Sequence, residues 1–290
     1  MAGDLTLPTR DQPNLDGRWL PLTAAQRGVY FLHQLRPGLP VCTTAELIAL
    51  PDGIETDRLV TALQATYAEN QQLRIRLRTG PDGPEQQVTE VLPEVAVVPV
   101  VGRAAADAWV EEALAEPFSL DDGQVVRTAI LCVDGEPRWW LHAAHHVVLD
   151  GYGFIRLANR VGEHYRGAAR PAPSVTVAEL VAEDQARREP GVLVTEQAFW
   201  AERLAEAEGS SSLAGRTADA TTPVHRAAVA LPTATQEALV AAAGRYGVAW
   251  TDVAVAAFAG YLGRLAPGDP GGVRLGVPFM DRFVPAAVPG

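Results

Sequence analysis

Two adjacent histidines, His145 and His146, stand at the end of an apolar segment, and Asp150 and Gly151 follow after three intervening residues. Side chains alternate along a strand, so one of the two histidines can reach solvent while the other turns into packing. An imidazole can hold or release a proton near neutral pH. The pattern is therefore typical of a site where a histidine binds an attacking amine, or takes its proton, during acyl transfer from a thioester.

Each part of this pattern also has a structural explanation. Histidine pairs commonly pack inside proteins, and an Asp-Gly step after a strand usually forms a turn. His142 is predicted to be a packing residue, and His33, His164 and His225 have no partner at a suitable sequence spacing. The complete spacing of the motif is what favours a chemical function over packing alone.

The elements around the motif are predicted to place it at the end of a hairpin. Residues 125–133 and 138–144 are apolar and are separated by Asp134-Gly135, a pair typical of tight hairpin turns. A helix with one apolar face is predicted from Gly151 onward. Gly151 itself is expected to permit a tight turn without a Cβ atom.

Other elements are predicted from helix-start signals and from alternation. Thr23 with Gln26 and Thr233 with Gln236 have capping-box spacing, and Thr56 is a further candidate cap. Strands are predicted elsewhere from apolar alternation or runs, including residues 73–77, 225–231 and 273–277. Helices and strands mix without a regular βαβ order, which favours a layered α/β sandwich over a barrel.

Composition excludes several classes of function. The 290 residues carry a net charge of −11 without a block of Lys or Arg, so nucleic-acid binding is not expected. Cys42 and Cys132 have neither CxxC nor zinc-site spacing, so no metal is predicted. With no secretory signal and no apolar stretch long enough to span a bilayer, we expect a cytoplasmic protein without a membrane partner.

The motifs together resemble those of the condensation domain of nonribosomal peptide synthetases, a member of the chloramphenicol acetyltransferase-like superfamily. The similar segments occur in the family's order, and the histidine motif is one of them: residues 22–30, 73–77, 145–151, 199–204 and 273–282.

The resemblance implies an α/β (α+β) sandwich of the chloramphenicol acetyltransferase type, built as a two-lobed, V-shaped pseudo-dimer. Residues 1–18 are expected to be a flexible lead-in, and residues 19–175 the N-terminal lobe with the active-site motif. Residues 176–290 are expected to hold linker helices and the first part of a C-terminal lobe that is incomplete in this chain.

The resemblance also implies amide bond formation between a donor acyl thioester and an acceptor aminoacyl thioester. Both substrates would be tethered to phosphopantetheine arms of donor and acceptor peptidyl carrier domains, with an adenylation domain adjacent and no cofactor bound directly. His146 would bind the attacking amine, and His145 would pack. Asp150 would pair with Arg74, and the Gly151 amide would help to bind the oxyanion or serve turn geometry alone.

One segment departs from the family pattern, and three other functions stay open. Glu69-Asn70-Gln71 stands where the family's second motif usually has Arg-His-Glu. The alternatives are an acyltransferase of the same fold with an alcohol acceptor, an epimerase-type relative, and a non-catalytic lobe that docks carriers.

Overall fold

A computed structural model describes residues 17–36, 38–170, 175–188, 190–205, 228–265, 273 and 275–277. The chain divides into two compact units, the first ending at Leu193 and the second beginning at Val194. The first unit therefore extends beyond the lobe boundary predicted at residue 175. The predicted functional division into residues 1–18, 19–175 and 176–290 stays a prediction.

The first unit contains all the strands of the described chain and most of its helices. The strands are β1 (Leu20–Pro21), β2 (Thr43–Ala49), β3 (Ile75–Gly80), β4 (Gly83–Val88), β5 (Val95–Pro99), β6 (Val126–Val133) and β7 (Glu136–His145). The helices are α1 (Ala24–Leu35), α2 (Thr56–Glu69), α3 (Gly102–Ala115), α4 (Gly151–Arg166) and α5 (Val177–Arg187), and α6 (Pro190–Leu204) crosses into the second unit.

Two sheets form the frame of the first unit. The smaller sheet has the antiparallel order β1-β4-β3, and the larger has the order β2-β7-β6-β5, in which only β5 and β6 run parallel. The β6–β7 hairpin turns at Asp134 and Gly135, whose φ angles are 52° and 84°. Positive φ at both turn residues is the geometry that an Asp-Gly pair favours, and it confirms the predicted hairpin.

Alternation along β7 separates two buried layers. Trp140 faces a cluster that includes Leu63 of α2 and Leu157 of α4, whereas Leu141 faces a cluster that includes Ala106 of α3. A third cluster joins the smaller sheet to α1, α5 and Ala143 of β7. The central strand β7 is therefore held on both faces, which fixes the direction of the chain where the histidine motif begins.

The second unit contains α7 (Thr233–Tyr246) and α8 (Trp250–Leu265), which pack against each other. Gly247 ends α7 in a left-handed conformation, as glycine commonly does after a helix. Residues 228–231 and the described part of 273–277 are not strands. The strand predicted over 225–231 otherwise lies outside the described residues.

The structure confirms one of the three predicted helix caps. Thr23 forms a complete capping box with Gln26, as predicted. Two other predicted caps are wrong: Glu55 and Pro232 occupy the cap positions of α2 and α7, so Thr56 and Thr233 are already inside their helices. The strand predicted over residues 73–77 is partly wrong, because Gln71–Arg74 form a 3-10 turn and β3 begins at Ile75.

Candidate functional site

The end of β7 places the histidine motif beside the starts of two neighbouring strands. The His145 N–H donates to the Val125 carbonyl at 2.9 Å, and the His146 N–H donates to the Cys42 carbonyl at 2.7 Å. Val125 immediately precedes β6, and Cys42 immediately precedes β2. The backbone of the histidine pair is therefore held from both sides of β7, which fixes the direction in which each side chain leaves the strand.

The two imidazoles have opposite environments. His146 is exposed, whereas His145 is only 2% exposed. The Val147 N–H donates to His145 Nδ1 at 3.2 Å. Burial, with smaller contributions from the imidazoles of His33 and His146, lowers the pKa of His145 to about 4. At neutral pH, His145 is therefore uncharged and buried, and His146 is the histidine of the pair whose imidazole is open to solvent.

Asp150 caps the helix that follows the motif. Its Oδ1 accepts a hydrogen bond from the Gly153 N–H at 2.7 Å, and its carbonyl accepts one from Phe154. A carboxylate at this position satisfies a backbone donor and complements the positive end of the helix dipole. Asp150 thus joins the histidine loop to α4.

The structure assigns different constraints to the two glycines near the start of α4. Gly151 does not have a positive φ, and a Cβ atom there would meet nothing within 4 Å. The tight turn predicted at Gly151 is therefore wrong, because this residue is the first of the helix. A Cβ at Gly153 would lie 2.6 Å from Leu149 Cδ1 and 3.1 Å from Asp150 Oδ1. The close approach is therefore at Gly153, where an added Cβ would require the Leu149 side chain to move.

The predicted pair between Arg74 and Asp150 is wrong. Arg74 donates to the carbonyls of Thr89 and Ala68, at 2.7 and 3.3 Å, and lies 3.7 Å from Glu90. The reason is the 3-10 turn before β3, which directs the Arg74 guanidinium toward the end of β4. Arg74 holds that turn and does not contact Asp150.

His142 packs, as predicted. It is 1% exposed, and its Nδ1 hydrogen-bonds the Tyr67 hydroxyl at 3.2 Å. Burial lowers the pKa of His142 to about 3 and raises that of Tyr67. Both groups are therefore neutral at pH 7, and this buried pair fastens α2 to β7.

Two other histidines have partners that sequence spacing did not suggest. His33 on α1 contacts the ring of His145, and His164 lies 3.0 Å from Glu69. Each contact joins residues more than 90 positions apart, so no local signal in the sequence indicates it. Only the packing of α1 against β7, and of α2 against α4, brings these groups together.

The described residues do not support a metal site or a membrane-spanning helix. Within them, no group of three or more His, Cys, Asp or Glu side chains is arranged to hold a metal ion. The helices described are also all too short or too polar to cross a membrane.

Comparison with known proteins gives a consistent result. The family model described as Condensation domain matches residues 18–287. The chain is 27% identical over 278 residues to a dimodular nonribosomal peptide synthase of Bacillus subtilis strain 168, covering 92% of this chain and 12% of that protein. It is 29% identical over 275 residues to an isonitrile lipopeptide synthase of Streptomyces coeruleorubidus, covering 91% of this chain and 18% of that one.

The fold also matches a solved structure. The first condensation domain of the calcium-dependent antibiotic synthetase, solved with a substrate analogue, aligns with a TM-score of 0.74 and 23% identity. The alignment covers 87% of this chain and 62% of that domain. The mixed α/β architecture with its helix-covered sheet is therefore the predicted chloramphenicol acetyltransferase-like fold.

Proposed function

Because the chain belongs to the condensation-domain family of nonribosomal peptide synthetases, we propose that it joins a donor acyl group to an acceptor amine as an amide. Domains of this family act on substrates held as thioesters on phosphopantetheine arms. In this proposal, donor and acceptor peptidyl carrier domains present those arms, and an adenylation domain lies next to the chain in the synthetase.

The proposed reaction exchanges one bond for another at the donor carbonyl. The acceptor amine attacks the carbonyl carbon, a C–N bond forms, and the C–S bond to the donor arm breaks. The amine loses a proton, and the departing thiolate gains one. Because the acyl group ends on the acceptor amine, the product remains attached to the acceptor carrier.

The observation that carries this proposal is the exposed imidazole of His146 on a fixed backbone. The His146 N–H is bonded to the Cys42 carbonyl, and the buried His145 precedes it. An imidazole held in this way can orient the amine or accept its proton, and it needs no large motion before the reaction. We assign amine binding to His146, support of the loop to His145, and support of the α4 start to Asp150.

Gly151 has a separate proposed part. It is the first residue of α4, and the space next to its Cα is open among the described residues. The first backbone N–H groups of a helix have no partner within the helix. We assign the Gly151 amide to the oxyanion that develops on the donor carbonyl.

The test is an intact-mass assay with the chain, a donor carrier loaded with an acyl group, and an acceptor carrier loaded with an amino acid. We expect acyl mass to move onto the acceptor carrier with the parent chain and to move ~10²–10⁴-fold more slowly with His146→Ala, if proton transfer is its main contribution. A loss far below tenfold would mean that orientation, or another group, dominates over proton transfer by His146.

The same assay separates the other functions. Transfer to an alcohol acceptor in preference to the amine would identify an acyltransferase of another specificity. Deuterium uptake at the Cα of a carrier-bound aminoacyl group in D₂O, without transfer, would identify an epimerase. A folded chain that binds loaded carriers and transfers nothing would identify a docking lobe, and each of these results contradicts the proposal.

A further inference from the structure

The ring of His145 has one nitrogen whose role the proposed reaction does not explain. Nδ1 accepts a hydrogen bond from the Val147 N–H at 3.2 Å. A neutral imidazole has one N–H and one bare nitrogen, so this bond puts the proton on Nε2. The tautomer of His145 therefore follows from the backbone of its own loop.

His145 Nε2 is buried and has no hydrogen-bond partner among the residues that the structure describes. Leaving a buried donor without an acceptor costs about 1–3 kcal/mol. A ring with this cost would be expected to rotate, or to admit water, unless its surroundings hold it. The surroundings of Nε2 are therefore the part of the site that needs explanation.

Two rings from other parts of the chain enclose this imidazole. The His33 ring lies edge to face with it at a centroid distance of 5.0 Å and an interplanar angle of 81°, and the Phe118 ring does so at 6.1 Å and 88°. Edge-to-face contact is a favourable arrangement of aromatic rings, and a π face attracts an N–H weakly. His33 comes from α1, which otherwise supplies no side chain to the proposed reaction.

We propose that His33 is a positioning residue for the reaction: with Phe118 it forms an aromatic seat that holds the His145 ring in the orientation in which Nδ1 meets the Val147 N–H, and thereby holds His146 in place. This role deepens the proposed function and rests on it. The state of the His145 ring can nevertheless be measured without any reaction, which keeps the two ideas separable.

The charged and titratable groups around this seat set its pH behaviour. The His33 ring lies against His145, the His146 imidazole is near enough to influence the pKa of His145, and Asp121 lies near His33. The Arg127 guanidinium lies 4.9 Å from the centroid of the Phe118 ring. Burial lowers the pKa of His33, and the Asp121 carboxylate partly opposes this effect. His33 is therefore neutral at pH 7. Opening the seat to water would remove part of the burial that lowers the pKa of His145, so that pKa should rise from about 4.

The experiment uses ¹⁵N-histidine-labelled protein and two-bond ¹H–¹⁵N spectra of the imidazoles, recorded from pH 4 to pH 8. The parent chain is compared with His33→Phe, which keeps a ring, and with His33→Leu and His33→Ala, which do not. Gln34→Ala is the control, because Gln34 is an exposed neighbour on the same helix. Single-turnover transfer between loaded carriers is measured on every variant.

We expect the Nε2–H tautomer of His145, with its low pKa, in the parent, in His33→Phe and in Gln34→Ala. In the leucine and alanine variants the ¹⁵N signals of the two His145 ring nitrogens should average, and the pKa of His145 should rise. Transfer should stay within about twofold of the parent for phenylalanine and fall about tenfold for leucine and alanine, because small displacements of catalytic groups are costly.

The proposal is overturned if the His145 ring signals are unchanged in His33→Ala, or if leucine preserves them as well as phenylalanine does. If the ring signals respond as expected while even the parent chain transfers nothing, the seat exists but the proposed reaction fails. The ring spectra thus test the aromatic seat, and the transfer assay tests the proposed reaction.

Discussion

The two glycines at the start of α4 provide a test in which one residue serves chemistry and the other serves packing. Gly151→Ala should change the free energy of unfolding by less than about 1 kcal/mol, because its Cβ would meet nothing within 4 Å. It should still slow transfer, since the added methyl group lies beside the amide assigned to the oxyanion. Urea unfolding and the carrier assay measure the two effects.

Gly153→Ala is the matched comparison two residues further along the same helix. Its Cβ would press against Leu149 and the capping carboxylate of Asp150, and crowding of this kind typically costs about 1–3 kcal/mol. We expect a clear loss of stability from Gly153→Ala and none from Gly151→Ala. Equal losses in the two variants would contradict this division.

Individual residues show which parts of the site a sequence can indicate. The opposite burial of His145 and His146 follows from strand alternation, which is a local rule. The prediction that Arg74 pairs with Asp150 was wrong because it depended on the direction of the Arg74 side chain. The 3-10 turn that sets this direction lies far from Asp150 in the sequence. The contact between His33 and His145 could not be foreseen either, because α1 and β7 meet only through tertiary packing.

At the scale of elements, an ionic cluster joins the end of α2 to the second half of α4. Glu69 accepts two hydrogen bonds of 2.7 Å from Arg160, and the Nε2 atom of His164 lies 3.0 Å from the same carboxylate. The Arg160 side chain is 15% exposed. The hydrogen bonds from Arg160 are the main cause that lowers the pKa of Glu69. The residue that departs from the family's second motif thus fixes the helix that begins at the histidine loop.

We predict that Glu69→Gln lowers the unfolding free energy by about 1 kcal/mol at pH 7, a figure reduced for partial exposure. A carboxyl group whose pKa is lower in the folded protein stabilises the fold at pH values above its pKa in the unfolded chain. That contribution is lost as the pH falls toward the pKa of the folded state. The difference between parent and variant should therefore shrink between pH 6 and pH 4. Urea unfolding at both pH values measures it.

Glu163→Gln is the control for the ionic cluster. Glu163 binds the same arginine at 2.7 Å but is 45% exposed, so we expect its loss to cost no more than about 0.5 kcal/mol. A larger cost from Glu163→Gln than from Glu69→Gln would show that the link between α2 and α4 does not depend on Glu69.

Elements were predictable where a local rule decides them. The Asp134-Gly135 turn and the Thr23 capping box combine a residue type with a backbone geometry that only neighbours influence. The caps predicted at Thr56 and Thr233 failed because a threonine also fits the first turn of a helix, and the chain before it decides where the helix starts. Leu73 lies in the 3-10 turn before β3 and packs in the cluster that holds Leu63 and Leu157, although alternation alone predicted a strand there.

At the scale of the whole molecule, two buried neutral histidines make the fold sensitive to acid. His142 and His145 lie on opposite faces of β7, and burial lowers their pKa values to about 3 and about 4. A histidine in the unfolded chain binds a proton near pH 6.5, whereas these two do not bind one while the protein is folded. The unfolded state is therefore favoured increasingly as the pH falls below 6.5, down to the folded values.

Each of these histidines should contribute a loss of about 2 kcal/mol in unfolding free energy between pH 7 and pH 5. His142→Phe removes one titrating group and keeps an aromatic ring beside Trp140 and Phe154. Whatever its stability at pH 7, this variant should lose about 2 kcal/mol less than the parent over that interval, as measured by urea unfolding followed by tryptophan fluorescence. If parent and variant lose stability equally, His142 is not neutral in the folded protein, and the acid sensitivity of the fold must arise from other groups.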